Sequence, residues 1–146
     1  MQRMALLLLA ALLAVVTTVS VADAAVTFHD TACTGFGTST LSCSGKVSGL
    51  GNTPVIVQLT AGFVCTTQSG SNSPPGQVQF FTGPIPPSNG QITFGPIGGT
   101  GSCHGTQTGA FVAPATLTIY TGEGCALTRR GLPNSNCVPV ASTQIS

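Results

Sequence analysis

Charge is what this sequence has least of: only 5% of its 146 residues are Asp, Glu, Lys or Arg, against roughly a quarter in an average soluble domain. Nucleic-acid binding needs a basic face, and a formal charge of +1 from so few cations builds none. Tryptophan is absent and tyrosine occurs once, which counts against the aromatic platforms on which sugar rings stack. Helical periodicity is missing as well. The apolar run from Ala5 to Val16 has 12 residues, where a membrane-spanning helix wants about 20. Apolar residues are not scarce, however. They make up 42% of the chain, too many for a disordered segment, so the chain is expected to fold.

The sequence instead offers 19 glycines, 10 prolines and six cysteines. Arg3, the apolar run, then Thr17, Thr18, Ser20 and Ala22-Asp23-Ala24 have the order of a secretory signal peptide with a small-residue cleavage site. We read residues 1–24 as that signal and residues 25–146 as one secreted domain, with no membrane span after cleavage. No cysteine follows the cleavage site, so no lipid anchor is expected there. The remaining charges are Lys46, Arg129 and Arg130 against Asp30 and Glu123.

An even number of cysteines behind a secretion signal predicts disulfides. Cys33, Cys43, Cys65, Cys103, Cys125 and Cys137 contain no C-x2-C pair, and no H-x3-H accompanies them. A zinc site is therefore not expected. Six cysteines allow fifteen connectivities. The pairing that crosses least joins Cys33 to Cys43 and Cys125 to Cys137 as short local loops, with inward-facing Cys65 reaching across to Cys103.

Period-two alternation recurs along the chain. Leu41, Cys43, Gly45 and Val47 share one face; Val55, Val57, Leu59, Ala61, Phe63 and Cys65 share another, with Gln58 and Thr60 opposite. Phe111, Ala113, Ala115, Leu117 and Ile119 alternate with Pro114, Thr116, Thr118 and Tyr120. Such patterns read as half-buried strands. Pro114 lacks an N–H to donate, which predicts an edge or a bulge there. Further apolar pieces lie at Val78, Phe80 and Phe81, and at Ile92 and Phe94, and Asn89-Gly90 predicts a tight turn between them. The echo Gly83-Pro84-Ile85 and Gly95-Pro96-Ile97 reads as hairpin punctuation. The expected fold is all-β: an antiparallel, immunoglobulin-like β-sandwich stabilised by disulfides.

The segment Cys43-Ser44-Gly45-Lys46-Val47-Ser48-Gly49-Leu50-Gly51-Asn52, then Cys65, Asn72-Ser73-Pro74-Pro75-Gly76-Gln77 and Asn89-Gly90 resemble small secreted bacterial proteins of unassigned function. The resemblance covers about residues 41–122, and Gly-Leu-Gly-Asn and Pro-Gly-Gln are its most specific parts. Thr116 to Ile119 with Gly122 is similar to their closing strand. Where those proteins carry a tryptophan after the third shared cysteine, this chain has Phe111, and Cys33, Cys125 and Cys137 look like additions. The resemblance implies an exported bacterial β-sandwich and carries no catalytic residue.

Candidate chemistry is thin. Asp30 and Glu123 are the only carboxylate pair from which a glycosidase could be built. His29-Asp30 beside a serine mimics part of a triad, but neighbours on a strand face opposite ways. No G-x-S-x-G elbow or phosphate loop occurs. Cys103-His104 is a thiolate dyad only if Cys103 is reduced. No cofactor, metal or catalytic residue is therefore expected. Spaced threonines such as Thr38 with Thr40, Thr106 with Thr108 and Thr116 with Thr118 would suit an ordered surface such as ice, but strand propensity explains them more simply.

Arg129 and Arg130 lie between Cys125 and Cys137 on one closed loop, where they are the candidate interaction residues; the plainer reading is a solvated turn whose arginines keep a nearly uncharged protein soluble. The expected function is a secreted, non-enzymatic structural or interaction protein at the cell surface or in the extracellular matrix. Its partner would be a surface or matrix protein, or a second copy joined through sheet edges. The alternatives are a protease inhibitor presenting the Cys125–Cys137 loop and, behind it, a small secreted hydrolase.

Overall fold

Alternation between apolar and polar residues builds seven strands in chain order: β1 (Thr27–Thr34), β2 (Thr40–Ser48), β3 (Ile56–Thr66), β4 (Gly76–Phe81), β5 (Ile92–Thr100), β6 (Thr108–Thr121) and β7 (Val138–Ile145). These come from a computed structural model that describes residues 25–146; the signal-peptide expectation for residues 1–24 lies outside the described residues. Every strand pair is antiparallel. Two sheets result, ordered β1-β2-β5 and β4-β3-β6-β7.

The inward faces of both sheets meet in one core. Leu41, Cys43 and Val47 from β2 and Ile92, Phe94 and Ile97 from β5 join Val57, Leu59 and Phe63 from β3 and Phe111, Leu117 and Ile119 from β6. Burying each large apolar side chain contributes about 1.5–3 kcal/mol. Phe63 and Phe111 stack edge to face with centroids 4.8 Å apart, which fixes their relative orientation.

The alternation breaks at particular places, each with a local cause. In β6, the register to β3 shifts between Ala61 and Gly62, so Ala113 and Pro114 face no partner on β3. Pro114 is therefore at a bulge against β3, at the point where pairing of β6 with β7 begins, from Ala115 onward. Ala113, expected inward, is exposed at this bulge. In β5, Gly95 and Pro96 stand where the register to β2 shifts. The second Gly-Pro-Ile is thus strand interior, not hairpin punctuation, and it returns Ile97 to the core. Gly98 follows with φ +146°, where a Cβ would run into the Leu41 carbonyl oxygen; only glycine fits that approach. Asn89 and Gly90 adopt φ of 51° and 70°, the mirror-type turn their sequence predicts.

Three bridges close the framework: Cys33–Cys43, Cys65–Cys103 and Cys125–Cys137. The first joins directly paired residues of β1 and β2. The second ties β3 to the connection between β5 and β6. The third closes the long β6–β7 connection. Three disulfides in such a fold are consistent with an extracellular protein.

Candidate functional site

Between Cys125 and Cys137 the chain forms a small hairpin. Leu127 bridges Pro133, the Thr128 N–H donates to the Leu132 carbonyl at 2.7 Å, and the Gly131 N–H donates to the Thr128 carbonyl at 2.9 Å. Arg129 and Arg130 are the two central residues of that turn. Neither has positive φ, whereas Gly131 has φ +73°, which identifies a type I turn followed by a left-handed residue. Both arginines are exposed at its tip. Their backbone is folded, not extended, so the segment is not presented as the strand that edge-pairing recognition uses.

Beyond the hairpin the chain enters β7, an edge strand paired only with β6. Among the described residues the exposed large hydrophobics are Leu132 at 47%, Val138 at 56% and Val140 at 43%. All three belong to β7 or the connection leading into it. Val140 is the extra residue where β7 slips against β6, between Ala141, which faces Ile119, and Pro139, which faces Tyr120. It helps line an open groove of about 660 Å³ with Val26, Leu50, Val55 and Thr121. From Ala141 to Ile145 the strand is regular.

The other three edges are guarded differently. β1 carries a bulge at Asp30, β5 carries Gly95-Pro96, and β4 has only 6 residues, with Pro75 just before it. Bulges, prolines, charge and short length are the usual protections of an exposed edge. β7 has Pro139 and the Val140 bulge near its start, and nothing comparable along Ala141 to Ile145.

The titratable residues gather differently from expectation. Because Asp30 takes φ 50° within the β1 bulge, it does not point away from His29 as plain strand geometry requires. Both line one shallow depression of about 330 Å³ with Lys46, Ser48 and Gln91. His29 Nε2 lies 2.7 Å from Ser48 Oγ, while the Asp30 carboxylate pairs with Lys46 Nζ at 3.6 Å. Asp30 therefore goes to the lysine, and no carboxylate is bonded to the His29 ring among the described residues. The ion pair is exposed on both sides and contributes little. Glu123 sits in the β6–β7 connection, which joins two strands of the sheet that does not hold Asp30. Cys103 is disulfide-bonded, so His104 has no thiol beside it to activate.

One arrangement was missed in the sequence. Alternation puts Gln58 on β3 opposite the apolar face, yet it is 7% exposed. The Tyr120 hydroxyl on β6 donates to its Oε1 at 2.9 Å. Register sets Phe81 of β4 opposite Gln58 on one side and Thr118 of β6 on the other. Gln58, Phe81 and Tyr120 thus share the outer face of the four-stranded sheet. The available signal was that Gln58 and Tyr120 both occupy outward positions of adjacent strands. No family model, curated protein or solved structure matches the chain, so residue roles come from its geometry alone.

Proposed function

We propose that the protein is an exported structural or interaction module that assembles at the cell surface or in the extracellular matrix, with a second copy docking along the β7 edge. Support comes chiefly from the position of Leu132, Val138 and Val140, which bring the exposed large hydrophobics among the described residues onto one edge strand and its approach. Strand pairing supplies backbone hydrogen bonds, and burying two half-exposed valines adds about 1 kcal/mol each. Both terms are needed to offset the several kcal/mol lost in association. The immunoglobulin-like assignment belongs to the same reading. Its support is the order β1-β2-β5 facing β4-β3-β6-β7, in which the fourth strand pairs with the third as in variable-type sandwiches.

Fractionation of the producing culture tests the location. The protein is expected with the envelope or matrix, and a Val138→Lys variant is expected to move into the free medium. Wild-type protein found wholly free in the medium overturns the reading. The inhibitor alternative draws on the disulfide-closed loop with its exposed arginines, while the type I turn weighs against it.

A further inference from the structure

The outer face of the four-stranded sheet combines three properties. The first is neutrality: β3, β4, β6 and β7 contain no Asp, Glu, Lys, Arg or His. The few charges among the described residues lie on β1, β2 and the β6–β7 connection. The second is a regular grid of hydrogen-bonding groups. Thr60 is flanked in register by Gln79 and Thr116, and the next row along the strands places Gln58 between Phe81 and Thr118. Neighbouring strands stand about 4.8 Å apart, and successive outward residues on one strand about 6.8 Å apart. The third is a fixed polar centre between two half-buried aromatic rings.

That centre is Gln58. With 7% of its surface exposed, its amide is held by the Tyr120 hydroxyl at the oxygen end. No side-chain hydrogen bond among the described residues uses the amide nitrogen. An amide held at one end by a neighbouring hydroxyl is a preorganised polar group. Phe81 and Tyr120 stand on either side of it, and hydroxyl rows extend beyond.

From this we infer that the outer face of the β4-β3-β6-β7 sheet binds a neutral polysaccharide. A pyranose ring presents an apolar C–H face to an aromatic ring and hydroxyls that both donate and accept at its edge. An uncharged surface of amides, hydroxyls and two rings complements that chemistry, and it offers nothing to a phosphate, a uronate or a basic peptide. Tyr120 and Phe81, far apart in the sequence, are brought to one face by register. The site centres on Gln58 of β3, between β4 and β6, whereas the docking reading concerns the free edge of β7, so either reading can fail without the other.

The test is retention of the purified, oxidised protein on microcrystalline cellulose, chitin and insoluble (1→3)-β-glucan, at low salt and at molar salt. Retention on at least one polymer, unchanged by salt, is expected, because no ion pair is involved. Tyr120→Ala should weaken it about tenfold, the loss of one aromatic contact with its hydrogen bond. Should Tyr120→Ala fail to fold, exposed Gln79→Lys places a charge in the Thr60 row without touching the core, and it should weaken retention several-fold. Absence of retention on all three polymers overturns the inference, as do folded Tyr120→Ala and Gln79→Lys variants that bind like wild type. Retention that vanishes in molar salt and is competed by alginate also overturns it, because the Arg129-Arg130 tip would then be the binding group.

Discussion

Removing the Cys65–Cys103 bridge by the paired change Cys65→Ala and Cys103→Ala should be the most damaging of the three disulfide deletions. The bridges span 38, 10 and 12 residues for Cys65–Cys103, Cys33–Cys43 and Cys125–Cys137. Loop-closure entropy grows with the logarithm of that span, which gives about 3.9, 2.7 and 2.8 kcal/mol at room temperature. Together these reach about 9 kcal/mol, comparable with the whole stability of an ordinary domain, roughly 5–15 kcal/mol. In a domain of about 120 residues one kcal/mol moves Tm by about 4 °C. The Cys65–Cys103 deletion should therefore lower Tm by about 15 °C, and the Cys125–Cys137 deletion by about 11 °C. Scanning calorimetry under non-reducing conditions measures both, and agreement of the calorimetric and van't Hoff enthalpies shows that each Tm refers to a two-state transition. A larger loss on deleting Cys125–Cys137 than on deleting Cys65–Cys103 would refute the chain-entropy reasoning. So would full reduction of all three with only a few degrees lost.

Tyr120→Phe removes the donor to Gln58 Oε1 and leaves a nearly buried acceptor unpaired, so urea unfolding should show a loss of about 1–3 kcal/mol. Phe111→Ala empties a site with 0% exposure that packs on Phe63 and Phe80; about 3–5 kcal/mol should be lost in the same measurement. Trypsin should cleave at Arg129 or Arg130, and the fragments should stay joined through Cys125–Cys137 until reduced, as mass spectrometry will show. Undiminished trypsin activity with an intact loop would contradict this, and stoichiometric inhibition would favour the inhibitor alternative.

The central strands were legible in the sequence from the face each turns to the core. Leu59 to Phe63 and Leu117 to Ile119 alternate, since a period of two puts every second residue into the same core, whereas at the start of β3 the opposite face, Ile56 and Gln58, is buried as well. β1 and β7 were not legible. Both are edge strands, mostly exposed, and bulges at Asp30 and Val140 break their alternation. Pro114 signalled an interruption without saying that the strand stays central, because a bulge and an edge free a proline from the ladder equally well. That His29 and Asp30 line one depression depends on a positive φ at Asp30, which composition does not encode. Gln58 with Tyr120 depends on strand register across 62 residues, and register is a property of two strands together. Charge scarcity, plain from composition, acquired its meaning only when the strands were placed: it leaves one whole sheet without a charged side chain.

Sedimentation analysis of the oxidised wild-type protein and its Val138→Lys variant, side by side over a range of concentrations, tests the proposed β7 docking most directly. The account predicts reversible association of the wild type and a monomeric variant, because a lysine on the edge blocks strand pairing. Monomers for both proteins at millimolar concentration, or equal association of both, would contradict it.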